Sequence, residues 1–291
     1  MIEVKHVNYA YDSSLVLHDI SISEHEPFIT GLWGRNGAGK TTFMKLLAGL
    51  YAPDHGEITV MGKTPYNNSE AQLHISYIQE NHPFHHSWDI NNVVNLGKYF
   101  NPNWNQETAD YLIEVFDLPK SKKIRKFSKG MKTALQIVLG LSSYSDVTIF
   151  DEPTNGLDAV MRKRFYDVLL ESYDNHPRQI LLSSHHINEI QPLCDKLIAI
   201  HNNTILLHES MEDLRGRGIL LSGDKQRIAA VTSTKRIIEK SELGSITKVM
   251  IDDNYSKAWV DLARQNQLSI DKASLQDYLI NIANDHKEVF V

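Results

Sequence analysis

The chain has 291 residues, 42% of them hydrophobic and 23% charged, enough for one large α/β domain with a small appendage or for two modest domains. Its formal net charge of −6 gives no reason to expect non-specific attraction to nucleic acid or to an anionic membrane surface. The only cysteine is Cys194, which excludes a disulfide framework within the chain and fits a reducing compartment.

The opening stretch "MIEVKHVNYAYD" lacks a basic region ahead of an apolar core, so no signal peptide is expected there. No apolar run approaches the roughly 20 residues that span a bilayer, and the chain alone is expected to be soluble. "IEVKHV" and "LVLHDISIS" alternate apolar and polar residues as half-buried strands do. "PFITGLW" is an apolar run that leads into the glycine cluster "GRNGAGKTT". Phe43, Leu46, Leu47 and Leu50 then fall at the spacing of an amphipathic helix, which Pro53 and Gly56 are expected to end. "GEITVMG" reads as a short strand.

The middle of the chain reads as helical. Ala109, Leu112, Ile113 and Phe116 share one face, and Leu135, Val138 and Leu139 another. "VTIF" and "ILLS" are short buried strands on either side of a helix carrying Met161, Phe165 and Val168. "LIAIHNNTILLH" predicts a hairpin turning at Asn202 and Asn203. Strands alternating with helices predict a mainly parallel sheet covered on both faces. After about Met211 the texture changes. "GRG" at 216–218 marks a break, and the remainder reads as strand, helix, strand ("SITKVMIDD"), helix, and a last helix with Leu275, Leu279 and Ile282, a small α+β appendage.

"GRNGAGKT" satisfies G-x-x-x-x-G-K-[ST] between a buried strand and an amphipathic helix, the setting in which that pattern cradles phosphates. Gly34, Asn36, Gly37 and Gly39 belong to the loop whose N–H groups turn inward. Lys40 reaches the β- and γ-phosphates, the Thr41 hydroxyl holds Mg²⁺, and Thr42 offers another phosphate contact. Asp151 and Glu152 end the strand "VTIF"; Asp151 can hold Mg²⁺ through water and Glu152 can polarise the attacking water. His185 ends "ILLSS" and can contact the γ-phosphate, with His186 fitting nearly the same spacing. Gln79, in "YIQEN", can ligate Mg²⁺ and orient water, though standing alone the stretch reads first as a solvated loop.

"RKFSKGMKT" lies at a helix start crowded by Lys120, Lys122, Lys123, Arg125, Lys126, Lys129 and Lys132. Either this is a solvated helix start, or the helix N-terminus with Ser128 and Gly130 faces a phosphate. Far in sequence from the P-loop, that phosphate can belong to another subunit's ATP. "ENHPFHHSW" carries His82, His85 and His86; carboxylate or cysteine partners at metal-ligand spacing are not evident, so a docking surface fits better than a metal site.

Together, "GRNGAGKTT", "YIQE", "FSKGM", "VTIFDE", "GLDAV" and "SSHH" resemble, in order, the Walker A, Q-loop, signature, Walker B, D-loop and switch-histidine motifs of the ATP-binding subunits of ABC transporters. The resemblance covers roughly residues 1–210. It implies a P-loop NTPase core of ABC type with an antiparallel β subdomain and a helical subdomain at about 82–142, followed by the accessory α+β region 211–291. It implies head-to-tail dimers, homomeric or heteromeric, that sandwich two Mg-ATP, with ATP hydrolysis driving an integral membrane subunit docked just after the Q-loop. The chain would then sit peripherally on the cytoplasmic face of the membrane. Tyr11 falls where the family stacks an aromatic ring on adenine, with Tyr9 as competitor, and Asp158 lies in the D-loop. The signature departs from the usual LSGGQ: Lys129 replaces the first glycine and Met131 the glutamine.

Within the resemblance, the one-cassette layout, the lysine-containing signature and the C-terminal appendage are similar to Gram-positive exporters of drugs, antibiotics and amphipathic peptides, staphylococcal exporters of phenol-soluble modulins among them. The competing reading is a soluble ABC ATPase of DNA repair, translation or iron–sulfur assembly. Coiled-coil insertions, zinc-binding cysteines and a second cassette, usual in the first two, are not visible, and no nucleic-acid partner is expected.

Overall fold

The computed structural model describes residues 2–285. It divides into two units, 2–185 with Glu189–His208, and His186–Asn188 with 209–285.

The first unit opens with strands β1 (Ile2–Tyr11) and β2 (Ser14–Glu24), then β3 (Ile29–Trp33) and helix α1 (Lys40–Leu47). β4 (His55–Val60), the one-turn helix α2 (Ser69–Gln72) and β5 (Ile75–Ile78) follow. The helical stretch comprises α3 (Ile90–Phe100), α4 (Gln106–Val115) and α5 (Lys129–Ser142), with a 3-10 turn at Ile124–Lys126 ahead of α5. β6 (Val147–Phe150), α6 (Ala159–Asn175), β7 (Gln179–Ser184), the one-turn helix α7 (Ile187–Ile190), β8 (Lys196–His201) and β9 (Thr204–Ser210) carry the chain to the second unit.

Two sheets result. β2-β1-β4 is antiparallel, with β1 pairing Val4 to Ile22 on one side and to Ile58 on the other. The six-stranded sheet runs β5-β6-β7-β3-β8-β9, with parallel ladders from β5 through to β8. Every residue of β3, β6 and β7 is buried, as expected for central strands covered on both faces. Phe43, Met44, Leu46 and Leu47 of α1 enter one core with Leu32, Ile149 and Leu181 of the large sheet and Ile2, Leu17 and Ile58 of the small one. That packing fixes α1 between the two sheets and so sets the P-loop ahead of it. The β8–β9 hairpin turns at Asn202 and Asn203, both at positive φ (46° and 68°), the conformation that favours asparagine.

Two local readings are corrected, and one helix is added. Leu50 does not extend the α1 stripe: the helix stops at Leu47, Gly49 sits at φ +71°, where a side chain would meet the Pro65 carbonyl at 2.2 Å, and Leu50 is exposed. The chain turns there because of Gly49, not Pro53 or Gly56. Helix α3, not singled out in the sequence, is started by a reciprocal Asp89–Asn92 cap. Finally, "GRG" does not separate the units; Arg217 and Gly218 already belong to a strand.

In the second unit a one-turn helix α8 (Met211–Leu214) precedes β10 (Arg217–Asp224), α9 (Lys225–Thr232), β11 (Ile237–Leu243), β12 (Ile246–Asn254), α10 (Lys257–Gln265), β13 (Ser269–Lys272) and α11 (Leu275–Asp285). The sheet order β11-β12-β10-β13, all antiparallel, makes this a βαββαβ unit of ferredoxin-like topology with an added helix. Ile228 of α9 and Trp259 and Ala263 of α10 pack on Ile219, Leu221, Val249 and Ile251. α11 takes the opposite face, where Asn281 meets Met250. Sequence reading missed β11 and β13, whose exposed polar residues carry almost no apolar alternation.

Candidate active site

The glycine cluster bends the chain from the end of β3 into α1. A side chain at Gly34 would lie 2.6 Å from the Ile200 carbonyl, and one at Gly39 2.9 Å from the Val16 carbonyl, so backbone packing demands both glycines. Gly37 and Gly39 have φ of +84° and +101°. Gly39 is also the N-cap of α1 and provides no side-chain cap. The first N–H groups of α1 are therefore left for an anion, where the helix dipole adds its field. The longer helices α3, α4, α5 and α6, by contrast, are each capped by their own Asp, Asn or Ser.

A cavity of about 490 Å³ lies over this loop. Tyr11, Asn36, Gly37, Gly39, Lys40, Thr41, Thr42, Glu152 and His185 line it, joined by Val16, Ala38, Glu80 and Asn155. Lys40 is buried; its ammonium donates to the Gly34 carbonyl at 2.7 Å and pairs with Glu152 at 3.6 Å. Burial lowers its pKa, and the carboxylates of Glu152 and Asp151 oppose that shift. Thr41 donates to Asp151 Oδ2 at 2.9 Å, while Ser183 donates to Asp151 Oδ1 at 2.8 Å. Tyr77 also points its hydroxyl at Asp151, at 3.5 Å, and burial together with that carboxylate raises its pKa far above the ordinary value.

Glu152 follows β6 at φ 51°, a left-handed conformation costing a non-glycine residue about 1 kcal/mol or more. Three bonds hold it. Its N–H donates to Ser183 Oγ at 2.9 Å, its carbonyl accepts from the Asn155 N–H at 3.0 Å, and its Oε2 meets His185 Nδ1 at 3.0 Å. The twist aims the carboxylate at Lys40 on one side and His185 on the other. His185 lines the cavity and His186 does not, which separates two residues that spacing could not.

The two tyrosines separate in the same way. Tyr11 lines the cavity with its hydroxyl 3.4 Å from Thr42 Oγ1, whereas Tyr9 packs against the apolar core and stacks on Tyr51. The oxygen set of Thr41 and Asp151 fits Mg²⁺, a hard cation bound by one or two carboxylates plus substrate phosphates.

Other expected residues lie elsewhere. Gln79 follows β5, but it is Glu80 that lines the cavity; the Gln79 carbonyl is held by Gln136 Nε2 at 3.2 Å. Ser128 caps α5, accepting from Met131 N–H at 3.2 Å, and Asp158 caps α6, accepting from Met161 N–H at 2.9 Å. Ser128, Gly130 and Asp158 are absent from the cavity wall. His82 packs at a tilt against Phe84 and His85 against Trp88, and no cluster of three or more His, Cys, Asp or Glu able to hold a metal occurs among the described residues. Glu80, Asn155, Ser183 and Tyr77 escaped sequence reading. The one signal available was position: Ser183 lies near a strand end, and Glu80 directly follows Gln79.

A family model described as "ABC transporter" matches residues 17–155, and one described as "AAA domain, putative AbiEii toxin, Type IV TA system" matches residues 122–190. The uncharacterized ABC transporter ATP-binding protein YcbN of Bacillus subtilis is 27% identical over 98% of this chain and 97% of its own length. The bacitracin transport ATP-binding protein BcrA of Bacillus licheniformis is 30% identical over 71% of this chain and 69% of its own. The high-affinity zinc uptake system ATP-binding protein ZnuC of Bacillus subtilis is 28% identical over 69% and 90%. A solved structure described as the ATP binding subunit of an ABC transporter superposes with a TM-score of 0.67 at 26% identity, over 74% of this chain and 92% of the other. No helix among the described residues is long and apolar enough to cross a membrane. Motif order, sheet topology and relatives agree: the chain belongs to the ATP-binding subunits of ABC transporters, ATPases that work with a membrane partner in transport.

Proposed function

We propose that this chain is the motor subunit of an exporter of drugs or amphipathic peptides, phenol-soluble modulins among them. One observation carries the mechanism: Lys40, Thr41, Glu152 and His185 line one cavity, with Asp151 bonded to Thr41 behind its wall, while Ser128 and Asp158 cap helices, and Gly130 opens one, away from that wall. Such a divided site calls for a second copy or a sister subunit, whose Ser128 and Gly130 equivalents cover the triphosphate and whose Asp158 equivalent links the two sites.

In this reading Tyr11 stacks on the adenine. Gly34, Asn36, Gly37, Gly39 and Thr42 hold the phosphate tail through the loop and the open N-terminus of α1. Lys40 exchanges Glu152 for the β- and γ-phosphates. Thr41 and Asp151, with Gln79 joining from the Q-loop, would hold Mg²⁺. The bound metal would neutralise charge between the β- and γ-oxygens. Glu152, released from Lys40, takes a proton from the attacking water, and His185 keeps its carboxylate oriented.

Residues 1–210 form the ATP-binding domain, about 82–142 its helical subdomain, and 211–291 an accessory region. The membrane subunit docks against the groove behind the Q-loop, where His82, Phe84, Trp88, Leu96 and Phe100 line a cavity of about 240 Å³. The chain sits peripherally on the cytoplasmic face. The lysine-containing signature and the likeness to a bacitracin transport subunit support export; the likeness to a zinc uptake subunit supports the opposite direction.

The test is co-expression with any integral membrane protein found in an adjacent reading frame, followed by detergent pull-down and reconstitution. Copurification, with ATP-dependent movement of an amphipathic peptide away from the nucleotide side, is expected. Failure to copurify, or movement toward the nucleotide side, overturns the proposal.

A further inference from the structure

One face of α5 is polar at positions that a helix normally buries in its core. Lys129, Thr133 and Gln136 fall at i, i+4 and i+7, and Thr133 and Gln136 are only 5% and 6% exposed. Each reaches a loop at the cavity. Lys129 Nζ donates to Asn155 Oδ1 at 3.1 Å and stands 4.0 Å from the Glu80 carboxylate. Thr133 Oγ1 lies 3.1 Å from the Asn155 carbonyl and 3.2 Å from its own helix's Lys129 carbonyl. Gln136 Nε2 donates to the carbonyls of Gln79 and Glu80 at 3.2 and 3.1 Å. Asn155 Nδ2 closes the circuit by donating to Glu80 Oε1. Asn155 and Glu80 are themselves wall residues of the nucleotide cavity.

The lysine stem is part of the fit. It lies across Gly156, whose φ is +88° and where any side chain would come within 2.8 Å of the Lys129 Cγ and Cδ atoms. A glycine at 129, the residue in the usual signature, offers nothing to span that distance. Lys129 is half-exposed, so its charge attraction to Glu80 contributes little by itself. What it supplies is position: a donor that fixes the Asn155 amide, which in turn fixes the Glu80 carboxylate.

We propose that Lys129, Thr133 and Gln136 form a clamp within one chain, through which the signature helix positions Asn155 and Glu80 on the wall of the nucleotide cavity. Lys129 is the positioning residue that departs from the usual signature. The inference rests on the proposed use of this cavity for hydrolysis. It differs from a role for Lys129 on the facing subunit's phosphates, because its coupling partner is Asn155 of the same chain. Moving α5 then moves the cavity wall with it, and ATP at the wall is felt at Ser128.

The experiment measures steady-state ATP hydrolysis by the purified full-length chain with Mg²⁺, and its affinity for MgATP. The variants are Lys129→Met, Lys129→Arg, Asn155→Ala and the Lys129→Met/Asn155→Ala double. Contacting residues couple, so Lys129→Met is expected to lower kcat about threefold to tenfold with Kd for MgATP unchanged within about twofold. Lys129→Arg restores kcat, and the double variant is no slower than the slower single. Wild-type kcat in Lys129→Met, multiplied losses in the double, or failure of Lys129→Arg to restore turnover each overturns the clamp. Hydrolysis is read without a transported substrate, so a failed export assay bears on the proposed function alone.

Discussion

Replacing Glu152 by glutamine keeps the side chain's shape and removes its charge. Two effects separate. As general base, Glu152 is expected to contribute about 10²–10⁴ in rate, or about 3–5 kcal/mol of barrier. As the partner of buried Lys40 it does the reverse for binding, because it occupies the ammonium that the triphosphate needs. At 3.6 Å and an effective dielectric of about 20, that gross attraction is about 4.6 kcal/mol, of which desolvation of buried Lys40 and partly buried Glu152 cancels a large part. Glu152→Gln is therefore expected to cut phosphate release at least about a hundredfold while Kd for MgATP stays at or below the wild-type value. The His185 contact survives, since an amide can still meet Nδ1. Phosphate release and titration with a fluorescent ATP analogue read the two quantities. Turnover above about a tenth of wild type would remove Glu152 as base. Weakened ATP binding would refute the competition between Glu152 and the phosphates for Lys40.

Tyr11→Ala should raise Kd for ATP about tenfold, from aromatic–base stacking of about 1–3 kcal/mol, while Tyr11→Phe stays near wild type; an unchanged Kd in Tyr11→Ala removes the stacking role. Gly140→Ala should lower thermal stability by about 1–3 kcal/mol in calorimetry, because its new Cβ would lie 2.4 Å from the Phe150 ring, itself buried against Phe165. A wild-type Tm would show that β6 yields more readily than this packing implies. Burial alone would raise the Glu24 pKa, but hydrogen bonds from His208 and Lys196 outweigh it and hold the value below the ordinary glutamate one. A depressed carboxylate contributes stability above its unfolded pKa and loses it as pH falls through the folded one. Glu24→Gln should thus cost about 3 kcal/mol in urea unfolding at pH 7, and the difference should shrink below about pH 4; a constant difference across that range contradicts the ion-pair account.

The P-loop, both Walker carboxylates and the family were legible because each rests on a short local pattern with a physical meaning. Gly34 to Thr41 is a glycine turn between an apolar run and a helical stripe, and "VTIFDE" is an apolar strand ending in acid. The fold class followed from strand and helix alternating along the chain. Where two neighbours carried the same chemistry, spacing could not choose. That His185 and Tyr11 line the cavity while His186 and Tyr9 do not is visible only in the packing. Element ends failed where one residue outweighed a periodic pattern, as at Gly49, or where strands lacked apolar alternation, as in β11 and β13.

The contacts that tune the site lay beyond sequence for a different reason. Ser183 bonds to Asp151 across 32 positions, Lys129 to Asn155 across 26, and Gln136 to Glu80 across 56. Hydrogen bonds depend on distance and angle in space, and chain separation carries no record of either. Local order along the chain therefore determined what this protein is made to hold. Only the packing of α1 and α5 against the sheet decided which side chains meet around it.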